Sequence, residues 1–244
     1  GFSRNVKEVR RLIGPHVKIL QVVKADAYGH GAIEIANISL KNGACCLGVA
    51  NADEGVQLRV GGIIAPIVIL SPSTGSEITE IIKYNLTPSV SDLIFARRLQ
   101  KLCKKGDVTI RVHIEVDTGM GRGGRMNDET MGMIRKIREY PNLSIEGVFT
   151  HLSQSETRMH HANENQWLLF HELLDELEQN KIAIPARHMA NSGAILNFPN
   201  FHLDMVRPGL MTYGIYPSAE TISKAKLTPV MSFKTRIILL KKFP

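Results

Sequence analysis

The chain reads as an α/β protein of the TIM (β/α)8 barrel class, and three observations lead there. Short runs rich in β-branched and other apolar residues alternate with amphipathic helical stretches from near the first residue to about Gly214, the pattern of parallel βα units. The strand-like runs number eight, which favours a closed barrel over a doubly wound open sheet. The 244 residues are close to the ~250 that such a barrel typically needs.

In chain order, a helix is expected over Asn5 to Leu12, ahead of a first strand at Lys18 to Lys24. Helix Ala32 to Lys41 leads to strand Cys46 to Ala50, and helix Asp53 to Val60 to strand Ile67 to Ser71. Helix Glu77 to Tyr84 precedes a short, polar fourth strand at Thr87 to Val90, and helix Asp92 to Lys104 a fifth at Thr109 to Val116. Helix Glu129 to Glu139 and strand Ile145 to His151 follow, then the long helix Glu164 to Asn180 and strands Arg187 to Asn191 and Leu203 to Val206. Each helical stretch repeats apolar residues three and four apart, as one buried face requires. After Gly214 the pattern changes: residues 216–229 read as a connecting loop, and residues 230–243 (VMSFKTRIILLKKF) alternate like a strand belonging to a second unit. The expected division is a barrel over residues 1–216, followed by a linker and the first strand of a mostly absent β domain over residues 217–244.

Composition narrows the function classes. Apolar residues make up 43% and charged residues 22%, enough for a sizeable core. The formal charge is +7, but the basic residues are scattered, without the basic helix or aromatic-interleaved patch of a nucleic-acid binder, so no nucleic-acid partner is expected. Cys45, Cys46 and Cys103 form no C-x-x-C pair and leave an odd count, which argues against a disulfide framework or zinc site and for a reducing, cytoplasmic setting. No run approaches the ~20 apolar residues of a membrane span. Asp117-Thr118-Gly119 occurs once and in a βα setting, unlike an aspartic protease; GRGGR (Gly121 to Arg125) reads as a loop, and His160, His161 and Glu164 as a solvated helix start rather than a metal site.

Barrels of this class build their sites at the carboxyl ends of the strands, so polar residues there carry weight. Lys24 ends strand one, Arg122 follows strand five, His151 ends strand six, Asn191 and Ser192 close strand seven, and Arg207 follows strand eight. A single lysine at a strand end ordinarily snorkels to solvent. On a rigid strand in a partly desolvated pocket, its amine becomes a nucleophile for an aldehyde and a proton acceptor.

VVKADAYGHG (Val22 to Gly31) resembles the cofactor-lysine motif of alanine racemases, which are fold-type III pyridoxal-phosphate enzymes. DTGMGRGG (Asp117 to Gly124), ANSGA (Ala190 to Ala194) and VRPGLMTYG (Val206 to Gly214) resemble that family's other motifs, in the same order, and the resemblance runs from about Asn5 to Lys242. It implies that Lys24 holds pyridoxal phosphate and acts as one of two racemisation bases. Tyr28, Asn191 and Ser192 would bind the cofactor, Tyr28 and Ser192 at its phosphate, with backbone N–H groups of Gly209 and Leu210. Arg207 would face the pyridine nitrogen with His151 hydrogen-bonded to it. A guanidinium does not give up its proton, so the ring is a weaker electron sink, which suits removal and return of one α-proton. Arg122 would contact the phenolic oxygen and the substrate carboxylate.

Seven residues before that arginine, many family members carry a carbamylated lysine; here the position is Glu115. Strand parity places Val108, Ile110, Val112, Ile114 and Val116 on one face and Arg111, His113, Glu115 and Asp117 on the other. With the apolar face against helices, the polar face looks into the barrel and has to pair with itself or with Arg122. The resemblance further implies a homodimer whose second base is a tyrosine of the partner subunit's β domain, leaving this chain of low activity by itself. Alanine, serine and broad-specificity racemases all remain consistent with these residues, as does a pyridoxal-phosphate-binding barrel without turnover. A related decarboxylase is disfavoured by Arg207.

Overall fold

The computed structural model describes residues 1–243. Eight parallel strands follow one another around a ring: β1 (Lys18–Val22), β2 (Cys46–Val49), β3 (Ile67–Pro72), β4 (Thr87–Val90), β5 (Ile110–Val116), β6 (Leu143–Thr150), β7 (Ala186–His188) and β8 (Met205–Val206). Neighbours pair in sequence order from β1 to β7, and β8 pairs with β1. The seam between β7 and β8 is bridged by Asp204 N–H to Arg187 O and Arg207 N–H to Ala190 O. The fold is the (β/α)8 barrel that the alternation predicts.

Outside the ring lie α1 (Phe2–Ile13), α3 (Ala32–Lys41), α4 (Ala52–Val60), α5 (Ile78–Lys83), α6 (Leu93–Lys105), α7 (Asn127–Arg138), α8 (His161–Gln179) and α9 (Ser192–Asn197); the short α2 (Lys24–Gly29) caps β1. Helix starts follow local chemistry. Asn51, Asp92 and Asn191 accept from the N–H three residues on, satisfying donors that the helix itself leaves open. His160 does the same for Ala162, so this histidine begins a helix as its sequence suggested. No helix among the described residues is long and apolar enough to cross a membrane.

Two apolar layers result from the period-2 alternation of the strands. Ile19, Leu47, Ile67, Ile110, Val112, Ile114 and Val116 face the helices in the large core, while Leu20, Val22, Cys46, Val68, Ala186 and Met205 form a separate cluster enclosed by the ring. On β5 the alternation runs as read: Ile110, Val112, Ile114 and Val116 are buried outside, and His113 and Glu115 are buried inside.

Boundaries shift where chain geometry overrides pattern. β1 stops at Val22, so Lys24 opens α2 instead of ending a strand. β7 ends at His188, which places Asn191 and Ser192 at the cap and first turn of α9. The largest difference is residues 230–243, read as a strand: residues 231–243 are exposed and in no regular element. Their alternation is suited to a sheet, but nothing among the described residues offers them an edge to pair with. The preceding segment is tethered. Asn5, fully buried, donates to Thr212 O and Thr228 O and accepts from Thr228 N–H, and Val230 N–H bonds Tyr213 O.

Asn5→Ala leaves three backbone groups without this partner and is expected to destabilise the barrel by about 1–3 kcal/mol. Protease cleavage should appear after residue 225 well below the melting temperature; an unchanged melting temperature and cleavage pattern would contradict the tether.

Candidate active site at the carboxyl ends of the strands

A cavity of about 410 Å³ opens at the carboxyl end of the ring, and Lys24, Tyr28, Arg122, His151, Asn191, Ser192, Arg207, Gly209 and Leu210 all line it. Glu115 is the one sequence-predicted residue that lies beneath rather than on the lining.

Lys24 reaches the cavity through an unusual backbone. Ala25, Asp26, Ala27 and Tyr28 all have positive φ (53°, 51°, 54° and 54°), one turn of left-handed helix, which for L-residues costs about 1–2 kcal/mol each. Surrounding bonds hold it: Asp26 accepts from Ala32 N–H at 2.7 Å, His30 Nδ1 lies 3.0 Å from the carbonyls of Ala27 and Tyr28, and Glu54 accepts from Ala25 N–H at 2.8 Å. With 3.6 residues per turn, Lys24 and Tyr28 share one side of α2. Burial, followed by the cation of Arg122, holds the Lys24 ammonium below the usual lysine range, with Glu54 opposing. The amine is thereby readied for nucleophilic and base chemistry.

Arg207 is 3% exposed, and both terminal nitrogens of its guanidinium are held by acceptors, leaving Nε–H without a hydrogen-bond partner among the described residues. Nη1 donates to His188 Nδ1 (2.7 Å) and His188 O (3.0 Å); Nη2 donates to Thr150 O (2.7 Å), Met189 O (3.3 Å) and His151 Nδ1 (3.3 Å). Burial lowers it to about 10, with Glu115 opposing, and it remains a cation at neutral pH. Because arginine only donates, His188 Nδ1 is an acceptor and its Nε2 carries the proton given to His113 Nδ1, 3.0 Å away. His188 and His113 were not singled out from the sequence as site residues. The available signal was parity: Arg187 points outward to Asp204, so His188 points inward.

Glu115 corrects an expectation. Its carboxylate makes no ion pair with Arg122 among the described residues; it accepts from Ser91 Oγ at 3.3 Å, and the two arginines act on it through space. Burial wins and raises its pKa, against Ser91, Arg122 and Arg207. Gly123 lies over it so closely that a Cβ there would be 2.5 Å from Glu115 Oε2. The loop carrying Arg122 is instead shaped by Asp117, which accepts from the N–H groups of Gly119 and Gly121.

The residues expected at the phosphate also make other contacts. Gly209 N–H, expected to face an anion, donates to Ser192 Oγ at 2.9 Å, and Met211 N–H donates to the same oxygen at 3.3 Å. Gly209 is needed for another reason: a Cβ there would lie 3.1 Å from the Tyr28 hydroxyl. Asn191 Oδ1 caps α9 through Ala194 N–H and accepts from Ser155 Oγ. Leu210 contributes apolar wall.

Burial and then the Arg207 cation push His113 and His151 down to about 3, with Arg122 and Lys24 adding to the effect on His151; the same causes, with His113, take His188 well below its usual value. These histidines stay neutral in the fold but protonate near pH ~6.5 when it unfolds, so their stabilisation is present above pH ~6.5 and is lost on acidification toward about 3. The melting temperature is expected to fall steeply between pH 6.5 and 4.5. His113→Asn should reduce that slope by about one proton; an unaltered slope, read by calorimetry across pH, would contradict the assignment.

Comparison with known proteins identifies the family. Residues 2–217 match the family described as alanine racemase, N-terminal domain. The alanine racemase of Halothermothrix orenii is 42% identical over 98% of this chain and 63% of its own length, and that of Methanococcus maripaludis is 40% identical over 100% and 66%. Among solved structures, alanine racemase from Clostridium difficile 630 in complex with cycloserine superposes with a TM-score of 0.91 at 31% identity over 93% of this chain and 63% of that one. The Bacillus anthracis enzyme with bound L-Ala-P gives 0.87 at 34% over 93% and 60%. The chain thus spans about 63% of the length of such relatives. With the barrel, the ordered motifs and the lysine turn in agreement, the chain belongs to the alanine racemase family, whose N-terminal domain it forms.

Proposed function

We propose that this chain is the pyridoxal-phosphate-binding part of an amino-acid racemase that interconverts L- and D-alanine. The observation that carries the reading is the pairing of a lysine amine below its usual pKa with a fully buried arginine on the same cavity. The residues fit the cofactor's parts: an amine for its aldehyde, the Ser192 and Tyr28 hydroxyls for its phosphate, and a permanent donor, Arg207, for its ring nitrogen. When bound, pyridoxal phosphate supplies an aldehyde for amines and an electron sink for an α-carbanion.

The chain's own residues then have distinct tasks. Lys24 would hold the aldehyde, and its amine would take or return the α-proton on its own face. Arg207, held by His151 and His188, would donate to the ring nitrogen without protonating it, which would keep the sink weak and favour proton return over side reactions. Arg122 is exposed on the lining, where its cation attracts a substrate carboxylate and lowers the charge on Lys24. Return from the opposite face needs a second base. Tyr28 is the one tyrosine on the lining, and it sits on the turn of Lys24 itself. By the family resemblance, that second base would be a tyrosine of the partner subunit in a cytoplasmic homodimer.

Borohydride treatment with pyridoxal phosphate, followed by peptide mapping, is expected to label Lys24; label on another lysine would reject the central assignment. Glu115→Gln separates function from stability. The raised pKa means that ionising Glu115 is harder in the fold than in the unfolded chain, so its contribution falls as pH rises through that pKa. The neutral amide should raise the melting temperature at pH 8, an advantage that shrinks toward pH 4, while loosening the compensation of Arg207 and Arg122 and slowing racemisation in the complete enzyme. Equal melting temperatures at pH 8, or unchanged turnover, would refute the corresponding half.

A further inference from the structure

We infer that Glu54 is the positioning residue for Lys24: its carboxylate clamps the near end of the left-handed turn to the end of β2. One oxygen, Oε1, accepts from Ala25 N–H at 2.8 Å, and the other, Oε2, accepts from Ala50 N–H at 2.7 Å. Ala25 directly follows Lys24 and is the first of the four left-handed residues. Ala50 directly follows β2, whose Gly48 carbonyl takes Val23 N–H on the other side of the lysine. Glu54 is itself fixed, because it lies in the first turn of α4 and its N–H is capped by Asn51.

The far end of the turn has ties of its own, Asp26 to Ala32 N–H and His30 to the Ala27 and Tyr28 carbonyls. At the near end, the side-chain tie is Glu54. Two N–H donors converging on one side chain need an acceptor at each position. A carboxylate offers both, whereas an amide sets its NH2 against one of them. Glu54 thus fixes the direction in which Lys24 leaves the backbone, across a strained conformation that persists only while its surroundings enforce it.

The same carboxylate supplies charge. Lys24 is faced by Arg122 from the loop after β5, by His151 from the end of β6, by Tyr28 on its own turn and by Glu54 from α4. Glu54 is the anion among these, and it opposes the effect of Arg122 on the lysine. Removing it should lower the pH at which Lys24 becomes reactive, an effect that a purely structural role would not produce.

The inference rests on the pyridoxal-phosphate reading, so the experiment separates the two. In the full chain, the rate of borohydride-trappable adduct formation at Lys24 with pyridoxal phosphate is measured against pH for the unaltered protein, Glu54→Gln and Ala25→Gly/Glu54→Gln. Glu54→Gln is expected to slow the reaction on the order of tenfold and to move its pH midpoint downward. Glycine takes positive φ without penalty, so the double variant should regain the rate but keep the lowered midpoint; it also guards against Glu54→Gln failing to fold. Amide exchange at position 25 and at Ala50, which needs no cofactor, should quicken in both variants. Unchanged rate, midpoint and exchange in Glu54→Gln would overturn the clamp. Absence of label at Lys24 in the unaltered chain would overturn the cofactor reading, and exchange would still decide the clamp.

Discussion

The site depends on one buried cation. Taking the Arg207 guanidinium out of water carries a penalty of several kcal/mol unless its donors are met, and here Thr150 O, His188 O, Met189 O and two imidazole nitrogens meet those of its two terminal nitrogens. Those acceptors come from the ends of β6 and β7, which reach Arg207 because the ring curves. Its backbone N–H also closes the seam to Ala190. The residue that carries the charge therefore helps to complete the barrel that buries it.

Burial first, and then that cation, set the state of its neighbours. His113, His151 and His188 stay neutral beside it, and His188 accepts with Nδ1 because a guanidinium cannot accept in return. Arg122 adds a second positive charge, so the field at Lys24 favours the free amine. Two carboxyl groups moderate this field from different sides, Glu115 beneath the cavity and Glu54 behind the lysine turn. With the cations alone, the lysine would lose its charge more readily; Glu54 restrains that loss directly.

Much of this was legible in the sequence, for a physical reason. Strand and helix periods survive in the residue pattern, so eight βα alternations, the inward face of β5 and the gathering of Lys24, His151 and Arg207 at one rim follow from spacing. What spacing does not carry is long-range hydrogen bonding. Ala25 to Tyr28 contain no glycine, and their left-handed path is enforced in part by Glu54, 29 residues further along. The same limit applies to Glu115: its inward face required a partner among the polar groups of β5 or in Arg122, and the side chain instead accepts from Ser91, with Gly123 closely over it. Residues 230–243 have a strand's alternation, yet alternation supplies no partner. His188 belongs to no motif, and its inward position shows only in the parity of β7, where Arg187 points outward to Asp204.

The phosphate side shows how a corrected contact can strengthen a functional reading. Backbone N–H groups of Gly209 and Met211 both donate to Ser192 Oγ, occupying the two lone pairs of that hydroxyl. Its proton is then the one hydrogen-bonding element left, and the side chain stands on the cavity lining. Such a hydroxyl is oriented as a donor before any ligand arrives, so an anion placed there meets a group that needs no reorganisation. The Tyr28 hydroxyl lies close to the Gly209 backbone, and burial with the nearby Glu54 keeps it protonated beyond the usual phenol range. Two neutral donors converge where the proposed phosphate would sit, and the proposal leaves the arginines to the ring and the carboxylate. Because the donors are neutral, the cavity can take up a dianion without first breaking an internal ion pair, and the charge of Lys24 remains governed by Arg122 and Glu54.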